Sequence, residues 1–177
     1  EIEMKDGKYE FAEKFRDAKS SGMLDSNMGR VPVLVADYNE IGQSAAIERY
    51  VARSCDLMGS DPVEAAQIDM WSEHVRELKD KYKAAKASGA EAKAAYFATA
   101  LPETMAKLER VAASDRGLVG GKITYADVSV YCFVTEFFDD KAAAAAAVSE
   151  CRKLSACVAL VAEHPNVVAY LAQRKVT

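Results

Sequence analysis

The sequence predicts an α+β chain in two parts, a short strand-bearing segment over residues 1–56 and an all-helical region over residues 60–177. Three observations carry this reading. Apolar runs of β type, punctuated by Gly and Pro, occur only in the first 55 residues. Beyond Gly59 the apolar residues recur at helical intervals. Half of the 177 residues are apolar, enough to bury a core in one generous domain or two small ones.

In the first part, residues 9–15 read as a short strand and turn. Ser20, Ser21 and Gly22 open a loop that closes at Gly29, and residues 31–36 form a compact β-branched run with Pro32 inside it. Asp37, Tyr38 and Asn39 turn the chain back into Glu40 and Ile41, making a hairpin. Over residues 43–53 the spacing of Ala46, Ile47, Tyr50 and Val51 becomes helical, with Ser44 placed as the cap.

In the second part, Asp61 and Pro62 are an N-cap and a first helical residue, and Val63, Ala66, Met70, Val75, Leu78 and Tyr82 are expected along one face. Ser88 and Gly89 break this helix. Phe97, Leu101, Met105, Leu108 and Val111 line a second amphipathic segment, which Pro102 either kinks or begins. Gly117, Gly120 and Gly121 end it. Thr124 and Asp127 then have the spacing of a capping box, with Ile123 and Val128 where a hydrophobic staple sits. The helix that follows is apolar nearly all round, through Val130, Tyr131, Phe133, Val134, Phe137 and Phe138, as a buried central helix is. The alanine run over residues 142–147 is a strong helix former, and two shorter helices are expected over residues 151–162 and 165–174.

Composition narrows the function. The net charge of -4, with both signs interspersed, gives no basic stripe able to neutralise a run of phosphates, so nucleic acid is not an expected partner. No apolar run approaches the roughly 20 residues that span a bilayer, and the N-terminus carries no apolar signal core. Cys55, Cys132, Cys151 and Cys157 lie in apolar helical contexts without close pairing, and are expected to be buried thiols in a reducing compartment. His74 and His164 are too far apart in sequence to suggest a metal site, and no metal is expected. The chain begins at Glu1 rather than Met, so removal of preceding residues is expected.

Three stretches, in this order and spacing, resemble the glutathione transferase family, particularly its sigma-like members: Gly29-Arg30-Val31-Pro32-Val33-Leu34, Gln43-Ser44-Ala45-Ala46-Ile47-Glu48-Arg49-Tyr50 and Gly120-Gly121-Lys122-Ile123-Thr124-Tyr125-Ala126-Asp127. The closing His164-Pro165-Asn166-Val167-Val168-Ala169-Tyr170-Leu171 is similar to the family's last helix. The resemblance implies a thioredoxin-like glutathione-binding domain over the strand-bearing part and the family's all-helical domain after it.

It also implies roles. Val31 precedes the proline, where the family offers its backbone to the cysteinyl part of glutathione, and a cis Pro32 keeps those groups facing outward. Gln43 and Ser44 match the pair that binds the γ-glutamyl end, and a helix beginning there suits a carboxylate. Asp69 matches an acidic residue that reaches across a homodimer to the glutamyl amine of the partner's glutathione. Arg30 stands where a polar side chain approaches the glycyl end. Thr124 and Asp127 match the family's folding motif, and losing either is expected to cost about 0.5–2 kcal/mol. Aromatics at helical spacing read as core; Trp71, Tyr96, Phe97 and Tyr131 could line a site for hydrophobic electrophiles, of which Trp71 and Tyr96 stay candidates, but none is assigned to the site.

The implied activity adds the glutathione thiolate to small hydrophobic electrophiles, a detoxification chemistry, with glutathione as substrate. In the family a Tyr or Ser hydroxyl, or a Cys, at the end of the first strand lowers the thiol pKa. Only 30 residues precede Val31, and residues 9–15 match the family's second strand. The first strand and first helix are therefore expected to be absent, the thioredoxin-like domain truncated, and the catalytic residue unknown; Tyr9 is not a candidate. A non-catalytic structural or interaction subunit of a larger assembly is the alternative. Cytoplasm is the expected compartment, with an organelle the alternative if a targeting segment was removed.

Overall fold

The computed structural model describes residues 2–5, 8–11 and 13–174, the first two stretches by their backbone alone. The chain divides into two units, residues 1–54 and 55–177.

In the first unit β1 (Ile2–Lys5) and β2 (Lys8–Phe11) form an antiparallel hairpin with Met4 opposite Tyr9. Helix α1 (Glu13–Ser20) follows. The strand expected over residues 9–15 therefore stops at Phe11. Tyr9, Phe11 and Phe15 share a period of two, but Phe15 and Ala18, three apart, are the half-buried pair of a helix made largely of charged helix formers. After a 3₁₀ turn at Asp25–Asn27, β3 (Val33–Ala36) and β4 (Asn39–Gly42) make a second, separate antiparallel pair, with Val33 opposite Gly42 and Ala36 opposite Asn39. Their two-residue connection places Asp37 (φ 47°) and Tyr38 (φ 64°) in the left-handed region, the turn whose twist matches a hairpin. The Asn39 side-chain amide donates to the Asp37 carbonyl at 2.9 Å. Pro32 has no N–H to give the ladder and stands outside it. Helix α2 (Ser44–Ser54) closes the unit. Among its described residues only Leu24, Asn27 and Ala52 are buried.

The second unit is helical. Asp61 caps α3 (Pro62–Ala87), its carboxylate accepting from the N–H groups of Val63 at 2.7 Å and Glu64 at 3.0 Å. The buried stripe of α3 is Ile68, Trp71, Ser72, Val75, Leu78 and Tyr82, while the expected Val63, Ala66 and Met70 are exposed. Counting back from Val75 by four and seven reaches Trp71 and Ile68; Met70, five back, is rotated about 140° away. α4 (Ala90–Ala95) runs through a wide π-turn (Tyr96–Ala100) into α5 (Leu101–Val111), where Leu101 N–H donates five residues back to Tyr96. Pro102, which has no N–H to donate, follows directly, so the wide turn and the proline together set the bend. α6 (Tyr125–Cys132) packs against both α3 and α8 (Arg152–Ala162), and a π-turn at Phe133–Phe137 ends it. α7 (Lys141–Val148) holds the alanine run, capped by Asp140, and α9 (Pro165–Gln173) is last.

The rings of Tyr96, Phe97, Phe137 and Phe138 surround Tyr82 at centroid distances of 4.8–5.7 Å. Tyr82 donates its hydroxyl to Asp139, which also receives Lys93 at 2.8 Å and Lys86 at 3.1 Å. Cys151 and Cys157 are buried and Cys132 half-buried, but Cys55, expected inside, is exposed because it follows the end of α2 in the stretch between the two units' helices. Among the described residues no single helix is long and apolar enough to cross a membrane.

Candidate functional site

Five of the six sequence-assigned residues lie on two short segments of the first unit, residues 30–32 and 43–44. The first leaves the 3₁₀ turn through Met28 (φ 53°) and Gly29 (φ 70°), both left-handed, and runs through a cis Val31–Pro32 peptide into β3. Val31 and Pro32 are exposed. Arg30 is exposed too, and its guanidinium folds back on its own turn, with Nε donating to the Asn27 carbonyl at 3.4 Å and Nη2 to the Met28 sulfur at 3.9 Å.

The second segment joins β4 to α2. Gln43 (φ 67°) holds the cap position, and its carbonyl accepts from Ala46 N–H at 3.0 Å and Ile47 N–H at 3.1 Å. Ser44 was expected as the cap but is the first helical residue, because the left-handed turn at Gln43 puts the helix start one residue earlier in the cap role. A helix start of this kind presents backbone N–H groups and partial positive charge, the surroundings a carboxylate favours.

What joins the two segments is Asn27, a residue that the sequence pattern did not single out. This residue is 4% exposed. Its amide nitrogen donates to the carbonyls of Arg30 at 3.1 Å and Pro32 at 2.9 Å, and its amide oxygen accepts from Gln43 N–H at 3.2 Å. Gly42 makes room for it: a Cβ at that position would sit 2.7 Å from both the Asn27 Cβ and the Ser26 carbonyl oxygen. The only sequence signal for this arrangement is the preference of Asn for binding nearby backbone in turns, which does not foretell a partner sixteen residues away.

Asp69, the sixth assigned residue, lies half-buried on α3 of the second unit, where its carbonyl accepts from the Ser72 hydroxyl at 2.8 Å. In the same unit the folding motif is closed. Asp127 is fully buried at the start of α6, and its carboxylate accepts from Thr124 N–H at 2.9 Å, the Thr124 hydroxyl at 2.8 Å and Leu118 N–H at 2.9 Å. The Leu118 contact, nine residues upstream, makes Asp127 a tie between a loop and a helix as well as a cap. Trp71, Tyr96 and Tyr131 are buried in the core, and the Tyr96 hydroxyl is committed to the Leu78 carbonyl at 3.1 Å. Burial pushes the Tyr96 hydroxyl well above its ordinary pKa. Burial, with the Asp127 charge nearby, pushes the Cys157 thiol up to about 12, away from any nucleophilic use. Among the described residues no cluster of His, Cys, Asp and Glu is arranged to hold a metal ion.

The family profile "Glutathione S-transferase, C-terminal domain" matches residues 68–174. Glutathione S-transferase 2 of Onchocerca volvulus is 35% identical over 122 residues, which cover 66% of this chain and 58% of that protein. Glutathione S-transferase P of Caenorhabditis elegans is 34% identical over 151 residues, covering 82% of this chain and 71% of its own length. The solved structure of an Onchocerca volvulus pi-class glutathione S-transferase superposes with a TM-score of 0.76 at 27% identity, over 93% of this chain and 78% of that one. The chain thus spans between 58% and 71% of these two curated relatives.

Proposed function

Because this chain belongs to the glutathione S-transferase family, we propose that its first unit binds glutathione and that the protein transfers the glutathione thiolate to small hydrophobic electrophiles. The observation that carries the reading is the Asn27 tie, which joins the carbonyls of Arg30 and Pro32 and the N–H of Gln43 to one side chain. In this reading the backbone at Val31 pairs with the cysteinyl residue of glutathione. Gln43 and the opening of α2 receive the γ-glutamyl carboxylate, an attraction of about 0.3–1 kcal/mol at an exposed helix start. Arg30 swings from its turn to meet the glycyl end.

Asp69 supplies the countercharge for the glutamyl ammonium, acting across a homodimer, so that a zwitterion is met by a helix N-terminus and a carboxylate. The resemblance of residues 29–34, 43–50 and 120–127 supports a sigma-like member of the family, and a cytoplasmic, reducing setting suits a protein that handles a free thiol. No described residue is assigned to activating that thiol.

Retention of the intact chain on immobilised glutathione and its release by free glutathione is the expected result; passage through the column unretained would overturn the reading. Release of chloride from chlorodinitrobenzene by the retained protein tests transfer itself. Retention without turnover would leave a glutathione-binding module in place of an enzyme. Asp69→Asn is expected to weaken glutathione binding with the fold intact, and unchanged binding in a titration would discard its role.

A further inference from the structure

We propose that Asn27 is a positioning residue that sets the register between the two glutathione-contacting segments, an inference that rests on the glutathione-binding reading above. Three features of its geometry lead there. First, an asparagine amide has two N–H donors and one carbonyl, and here both donors and the carbonyl are engaged, with the residue 4% exposed. Second, its three partners divide between the segments: the carbonyls on either side of Val31 are on one, and the N–H of Gln43 is on the other. Third, β4 ends in Gly42, where a Cβ would push Asn27 away.

The orientation of Val31 follows from this tie. The Arg30–Val31 peptide is trans, and in a trans peptide the C=O and N–H point to opposite sides. With the Arg30 carbonyl turned inward to Asn27, the Val31 N–H is turned away from it, where an incoming main chain can pair with it. The same side chain, through its oxygen, holds the left-handed Gln43 from which α2 starts. One amide therefore orients the donor that meets the middle of the tripeptide and fixes its distance from the turn that meets its γ-glutamyl end. A ligand held at both ends of a fixed span gains from that span being preset, because less ordering remains to be done on binding.

Replacing the amide separates this role from general support. In Asn27→Ala both links are lost. In Asn27→Asp the acceptor for Gln43 N–H is kept, but a carboxylate faces the Arg30 and Pro32 carbonyls and repels them. The β3–β4 ladder and the carbonyl of Gln43 still hold the second segment in both variants.

The test titrates the intact chain and the two variants with glutathione and with L-glutamine, which carries the γ-glutamyl end alone, following chemical shifts for the weaker ligand. Glutathione affinity is expected to fall about tenfold in each variant, the scale of one or two neutral hydrogen bonds, while L-glutamine affinity changes less than about twofold. Amide exchange at Gln43 is expected to accelerate in Asn27→Ala and stay slow in Asn27→Asp. Equal losses for both ligands in both variants would show Asn27 to be a support only and would overturn the proposal, as would unchanged glutathione affinity. Failure of the unaltered chain to bind glutathione would instead remove the functional reading beneath it. Should Asn27→Ala not fold, Asn27→Asp decides the matter by the same ratio.

Discussion

The two units are held together in different ways. In the second unit, aliphatic and aromatic side chains at helical spacing fill a core in which Ile68, Met105, Val130 and Leu154 are almost fully hidden. In the first unit the described core is three residues, one of them an asparagine. There the chain path is set by hydrogen bonds from a single amide, by left-handed residues at Met28, Gly29, Asp37, Tyr38 and Gln43, and by a glycine at a close approach. A packed core tolerates changes of shape that keep volume and apolarity, whereas a region set by individual backbone bonds does not. The proposed recognition surface is on the second kind of region, where backbone groups are available to a ligand rather than spent on a helix.

The comparison breaks hardest where the helical unit also depends on a single buried polar side chain, Asp127. Asp127→Ala would leave the N–H groups of Leu118 and Thr124 and the Thr124 hydroxyl buried without an acceptor. At about 1–3 kcal/mol for each buried group left unpaired, a loss of about 3 kcal/mol or more is expected, beyond the 0.5–2 of an ordinary cap. Chemical denaturation followed by far-ultraviolet circular dichroism measures it. A loss no larger than that of a surface cap substitution would mean that the Leu118 tie carries no weight.

This difference also explains what could be read in advance. The second unit was legible because volume and period are written residue by residue: Asp61–Pro62, the Thr124–Asp127 box and the apolar run of α6 were each placed from the sequence. Its misreadings were Cys55 and Val111, both exposed, and the front half of the α3 stripe, where Val63 and Met70 are apolar but their angle on the helix excludes them from the core. In the first unit Val31, Pro32, Gln43 and Ser44 were found as candidate contacts, but not what binds their segments together. The Asn27–Gln43 bond spans sixteen residues and leaves no periodic trace. The early end of β2 was missed for a similar reason, since Tyr9, Phe11 and Phe15 mimic an alternating strand until the chain turns into α1.

Gly42→Ala sharpens the comparison from the other side. A single methyl group there would meet a backbone oxygen and the Asn27 Cβ at 2.7 Å, so either β4 or the 3₁₀ turn has to move. Overpacking of this kind costs about 1–3 kcal/mol. The cost is expected to fall on the first unit alone, with faster amide exchange across β3, β4 and the start of α2, and with glutathione binding lost while the exchange of α3, α6 and α8 is unchanged. Slowed or unaltered exchange at Gln43 would show that the close approach does not constrain the site.

The smallest expected effect is electrostatic and belongs to the helical unit's surface. Lys93, Tyr82 and Lys86 hold the Asp139 carboxyl well below the usual carboxylate range. Burial and Asp139 together push the Tyr82 hydroxyl up, and the hydrogen bond to Asp139 raises Lys93. A lowered carboxyl pKa contributes stability that is complete above its unfolded value, about 4, and that is lost as pH falls through the lower folded value. The raised Lys93 and Tyr82 act in the opposite sense: their contribution is complete below about 10 and is lost as pH rises past the folded values. Asp139→Asn should therefore lower the melting temperature most at neutral pH, by an amount that shrinks as pH falls from about 4 towards 2, so that the variant's acid limb is the flatter one. Because the Asp139 side chain is 39% exposed, salt should shrink the difference between the two proteins. Melting temperatures at pH 7, 4 and 2.5, each at low and high salt, measure this; parallel curves for the two proteins would show that the aromatic packing around Tyr82, rather than its charged cap, holds this end of the bundle.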